Sequence, residues 1–178
     1  LHADIIRFKD YCDRRGFQAA IRLNGTSDLV WERFIDLSQY TDIVFYDYAK
    51  IPVKYLEGSS RHITYSYDPG NLIHVRDAFR AGYNLAVAFK GALPDSFLGL
   101  PVYSGDDTDL RFLDPKGPAI CGLSYKRDTR KKTDRPTNTD NGFVVDMARN
   151  PHVDLLNCSD TELFNYHREL RKVYADLA

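Results

Sequence analysis

Gln18-Ala19-Ala20-Ile21-Arg22-Leu23 runs straight into Asn24-Gly25-Thr26-Ser27-Asp28. A β-rich run that stops in small polar residues reads as a strand feeding a turn. The unit recurs: Ile43-Val44-Phe45-Tyr46 runs into Asp47-Tyr48-Ala49-Lys50, and His62-Ile63-Thr64-Tyr65 into Ser66-Tyr67-Asp68-Pro69-Gly70-Asn71. Helix-like stretches separate these runs. Residues 3–15 place Ile5, Ile6, Phe8, Tyr11 and Cys12 near a 3.6-residue period and stop at Gly16. Further helical patterns run from Ser27 or Asp28 to Leu37, over Pro52–Leu56, and from Asn71 to Arg80.

Asn84–Phe89 is apolar on both faces, as a covered parallel strand is. Lys90–Pro101 reads as a loop with a helical turn near Ser96–Leu98. Val102-Tyr103, Ala119–Tyr125 and Phe143–Asp146 are further strands. A last helix spans 161–177, with Ser159 or Asp160 as its cap. Strands alternating with helices predict an α/β fold. The expected form is a small or partial TIM-like barrel of mostly parallel strands, closed by the C-terminal helix. The whole of 1–178 reads as a single domain. In such sheets ligands bind at the carboxyl ends of the strands.

The chain has 178 residues, 43% of them hydrophobic, and a net charge of -1. That suffices for a sizeable core and leaves no global field toward nucleic acid or membrane. Three dispersed cysteines, Cys12, Cys121 and Cys158, form no CxxC or Cys/His spacing. Reduced thiols in a cytosolic setting are the expectation. No apolar run reaches membrane-spanning length, and no signal peptide is visible. The chain opens at Leu1, not Met, inside a helical pattern, which leaves a processed chain or a fragment as readings.

Candidate chemistry gathers at the strand ends. Asp106, Asp107, Asp109 and Asp114 put four carboxylates in nine residues, and Asp28 and Asp47 follow other strands. Carboxylates arriving from several strands suit Mg²⁺ or Mn²⁺, with Asp107 and Asp109 as ligands. The competing reading is that these Asp cap turns. Asp28, Asp47 and Lys50 are the candidate catalytic group, with Asp47 and Lys50 as a charged pair. Asn24 and Gly25, at a strand-to-helix turn, and Ser66 and Lys90 are candidate substrate-binding residues. His62 alternates with Thr64 and Ser66 on one strand face, the barrel interior. Segment 126–140 is polar throughout and reads as a mobile basic loop. Its Arg130, Lys131 and Lys132 are candidates to grip nucleic-acid phosphates.

Four motifs occur in order: Ile21 through Glu32, Phe45 through Lys50, His62 through Ser66, and Asp109 through Pro115. As a set they resemble the bacteriophage family named for the gene product 88 domain, over roughly residues 1–146. The resemblance implies a phage or prophage origin, with the cytoplasm of a host cell as the expected location and association with a virion as the alternative, and names no reaction. The pattern also resembles radical-SAM partial barrels, which would turn Asn24, Gly25 and Asp28 toward a ligand. This chain lacks the CxxxCxxC of that group, so no iron–sulfur cluster is expected from it. The resulting expectation is an enzyme-like site acting on a phosphorylated or nucleotide-like substrate, without a membrane partner. The alternatives are a non-catalytic structural or host-interaction protein, a nucleic-acid binder, and a radical-SAM-like fragment.

Overall fold

Helix α1 spans His2–Arg14, with Asp4 in its first turn and Arg14 in its last, both favourable to the helix dipole. Gly16 follows at φ +69, a conformation that glycine adopts without penalty. The computed structural model describes residues 1–126 and 142–174. The remaining elements are β1 (Ala19–Arg22), β2 (Ile43–Ala49), β3 (His62–Ser66), α2 (Leu72–Arg80) and β4 (Asn84–Phe89). They continue with β5 (Ser96–Phe97), β6 (Leu100–Ser104), β7 (Ile120–Ser124), β8 (Val144–Val145) and α3 (Asp160–Val173). Ser159 and Glu162 form a reciprocal capping box that starts α3.

The strands form one mixed but mostly parallel sheet in the order β1-β2-β3-β4-β7-β6-β5, and β8 pairs with β4. β5 and β6 are the antiparallel pair. Because β7 lines one side of β4 over Leu85–Phe89, β8 joins the other side, beyond the end of β3. No described pairing joins β1 to β5, so the sheet is open.

Strand alternation divides the sheet into two unlike faces. One face carries Ala19, Ile43, Phe45, Ile63, Tyr65, Leu85, Val87, Phe89 and Ile120. All three helices pack there: α1 through Ile5 and Cys12, α2 through Val75, Ala78 and Phe79, α3 through Leu163, Tyr166 and Leu170. Each fully buried Leu, Ile or Phe stabilises the fold by about 1.5–3 kcal/mol. The opposite face is more polar, and among the described residues no α-helix lies over it, only the 3₁₀ turn Arg111–Leu113.

Three expectations are corrected. The helix expected up to Leu37 is two 3₁₀ turns, Trp31–Arg33 and Leu37–Gln39. Asn24 explains the difference: its side chain binds both Leu29 backbone groups and the Trp31 indole, which keeps the chain before Trp31 out of a helix. Pro52–Leu56 likewise tightens to a 3₁₀ turn at Val53–Tyr55. Ser96–Leu98 is the start of the β5–β6 hairpin, with Leu98 at φ 55 and Gly99 at φ 85.

Candidate functional site

Parallel register carries Arg22, Tyr46, Tyr48, His62, Thr64, Asn84, Cys121 and Tyr103 onto the polar face. Segment 105–115 crosses that face, from β6 toward β1 and back. At its far point Asp109 accepts hydrogen bonds from Tyr48 Oη at 2.9 Å and Arg22 Nη1 at 3.2 Å. The Arg22 guanidinium also stacks on the Tyr48 ring, 4.6 Å from its centre. Phe112 meets Tyr46 edge to face. On the return, Arg111 is fully buried; it donates to Gly105 O at 3.1 Å and to Cys121 Sγ. Tyr103 Oη donates to Asp114 at 2.9 Å. Gly105 permits this packing: a Cβ there would collide with Cys121 Sγ and Arg111 Nη1.

The covered face is incompletely satisfied. His62 Nε2, Thr64 Oγ1 and Arg111 Nε are buried without a hydrogen-bond partner. Arg111 Nε lies 3.5 Å from Asp114 Oδ2, an ion pair without hydrogen-bond alignment. Burial pushes the His62 pKa down, so its imidazole is neutral near pH 7. Burial, reinforced by Asp109, pushes the Tyr48 phenol well above its usual range, so Tyr48 acts as a donor.

Toward the carboxyl ends the same face opens to solvent. The ladder continues past the strands, with Lys90 N donating to Val145 O and Tyr125 N to Phe89 O. Lys90 and Tyr125 therefore follow Ala88 and Leu123 on the polar side, Ser66 follows Thr64, and Lys50 lies just past the end of β2. The β8 segment links two of these positions. Lys50 Nζ sits 4.9 Å from the centre of the Phe143 ring, and Lys90 Nζ lies 2.8 Å from Asp146.

Most of the anticipated carboxylates are held by separate partners. β2 is longer than its sequence pattern suggested, so Asp47 lies inside the strand and on the helix face, not at the mouth. Its partner is Arg61 at 2.9 Å, with the Asn24 N–H at 2.8 Å; the expected pair with Lys50 does not form. Arg61 also binds Glu32 in a two-point contact. Burial opposes ionisation of Glu32, but the Arg61 bonds prevail and hold its pKa below the usual range. Asp28 accepts from Lys50 N at 3.3 Å. Asp106 accepts from Ser124 N, and Asp107 is exposed. Gly25 is exposed beside the buried Asn24. Asp47 and Asp109 lie on opposite faces of β2. Among the described residues no group of three His, Cys, Asp or Glu side chains is placed to hold a metal ion. Arg130, Lys131 and Lys132 lie outside the described residues.

Sequence reasoning passed over Arg22, Tyr48, Arg61, Arg111 and Tyr103. The period-two placement of Arg22, Tyr46, Tyr48, His62 and Thr64 is the signal that points to a polar sheet face. Arg111, flanked by Leu110, Phe112 and Leu113, is a charge inside an apolar run, which is a mark of a buried ion pair.

Among the described residues no helix is long and apolar enough to cross a membrane. No curated protein and no solved structure gives a significant match to the chain. A family model described as Gene product 88 matches residues 1–145, from α1 to the end of β8. The ordered motifs and this match over most of the chain place the protein in the Gene product 88 family of phage gene products.

Proposed function

We propose that the sheet is a partial, TIM-like half-barrel whose polar face binds a phosphorylated or nucleotide-like small molecule at the carboxyl ends of the strands. In this reading the helix face is the outside of the half-barrel and segment 105–115 is the floor of its cup. The observation that carries the proposal is the asymmetry of the sheet: all three α-helices pack on one face. On the other face lie two buried polar atoms without a hydrogen bond, His62 Nε2 and Thr64 Oγ1, and Arg111 Nε, which meets Asp114 only as an ion pair. Unpaired buried polar groups are costly, and clustering of such groups supports a site retained for function.

Lys50 and Lys90 would meet the phosphate, and Ser66 and Tyr125 its polar or aromatic remainder. Lys90 already carries Asp146 as a counter-charge, so the ligand would share or displace that pair. Mg²⁺ or Mn²⁺ enters the proposal as a companion of the phosphates, since Asp109 is engaged by Arg22 and Tyr48.

Calorimetric titration of the protein with AMP, ADP and ribose 5-phosphate, with and without Mg²⁺, tests this reading. At least one should bind, and the double substitution Lys50→Ala, Lys90→Ala should weaken it by about tenfold or more. Failure of all three ligands, or full affinity in the double variant, overturns the proposal.

A further inference from the structure

Away from the polar face, α2 and α3 leave between them a groove of about 480 Å³. That volume lies within the range of small-molecule sites. α2 contributes Leu72, Ile73 and Arg76, and α3 contributes Asp160, Leu163, Phe164 and His167. The α2 positions are i, i+1 and i+4 and the α3 positions i, i+3, i+4 and i+7, each set on one side of its helix. Ile73 is 58% and Phe164 66% exposed, a large apolar area to leave in water on adjacent helices. Arg76 in the same groove is 7% exposed.

The polar atoms of the groove are short of acceptors. Arg76 Nε and His167 Nε2 are buried and have no hydrogen-bond partner. Asp160 Oδ1 lies 2.8 Å from Arg76 Nη1, but its side chain is 92% exposed and leaves Nε uncovered. A guanidinium offers five donors in a planar fork suited to carboxylate. An alkane surface alone would leave both nitrogens unsatisfied, and a carboxylate reaching Arg76 would take the place of Asp160.

We propose that the α2–α3 groove binds an amphipathic monocarboxylate, its apolar chain on Ile73 and Phe164 and its carboxylate on Arg76 and His167. The unsatisfied donors of Arg76 and His167 select the head group, and the exposed apolar walls select the chain. The site is independent of the polar face of the sheet.

Calorimetry with decanoate, decanol and decylammonium, each below its aggregation limit, tests the proposal. Decanoate should bind about tenfold or more tighter than decanol or decylammonium, neither of which offers a charged acceptor. Arg76→Gln should remove the preference for decanoate over decanol. Phe164→Ser, at an exposed position where folding is not at stake, should weaken decanoate by about tenfold. If Arg76→Gln does not fold, the decanoate-to-decanol ratio and Phe164→Ser decide. Equal binding of decanol and decanoate, or no binding of decanoate, overturns the proposal. So does an unchanged affinity in Phe164→Ser, or self-association that this substitution abolishes, which would identify a second copy as the occupant.

Discussion

Leu85, Val87 and Phe89 alternate along β4 with Asn84, Ala86 and Ala88, and the two series meet different surroundings. The first lies under α2 and α3 in a continuous apolar core. The second faces a chain segment that brings Arg111, Asp114 and Asp109 across the sheet. One side is stabilised by apolar burial, which is tolerant of detail and strongly favourable. The other depends on hydrogen bonds of defined geometry, and three of its buried atoms have none. The difference teaches that the helix face makes the fold, while the polar face is held by directional bonds that are not all made, at some expense in stability.

The largest expected effect is on the helix face. Phe89→Ala should destabilise the protein by about 3–5 kcal/mol, read from urea unfolding, because Phe89 is fully buried against Phe97. A loss under about 1 kcal/mol would show that this face is not the cohesive one. Next comes Arg111→Ala on the polar face, with a loss of about 3 kcal/mol from stranding Asp114 and the Gly105 carbonyl. It should also expose segment 105–115 to limited proteolysis; resistance equal to that of the parent would mean that Arg111 does not pin the segment.

Thr64→Val sharpens the comparison by changing sign. Its hydroxyl is buried and unpartnered, so the methyl should stabilise the protein by up to about 1 kcal/mol. Ligand binding at the polar face should weaken in the same variant, and a destabilised variant would show the hydroxyl to be a structural bond. The smallest effect is one of pH. Burial lowers the pKa values of His62 and His167 in the folded state. Below the unfolded value of about 6.5 the unfolded chain takes up protons that the folded chain refuses, so stability falls as pH drops from 7 toward 5.5. The double substitution His62→Gln, His167→Gln should flatten urea midpoints over that range; an undiminished slope would assign the effect elsewhere.

Much of the strand and helix order was legible because hydrophobic period is a local property. Asn84–Phe89 reads as a buried strand from its own residues, and Ser159 with Glu162 marks the start of α3. The 3₁₀ turns near Trp31 were not legible, because the Asn24 side chain that shapes them acts from five to seven residues away. The acidic site was misread for a related reason. Six aspartates lie near strand ends in sequence, but sequence spacing does not say which face each side chain takes or which cation already holds it. Asp47 is held by Arg61, fourteen residues on, and Asp109 by Arg22, eighty-seven residues back.

By itself, then, the sequence determined the alternation of strands and helices, the two-faced patterning of the strands and the family. Those depend on residue order and short-range periodicity. Tertiary structure alone decided that all three helices share one face, that segment 105–115 covers the other, and that Arg61 and Arg111 neutralise buried surroundings. Ion pairing and burial act through space between residues distant in the chain, so their partners become known only when parallel register brings the strands side by side.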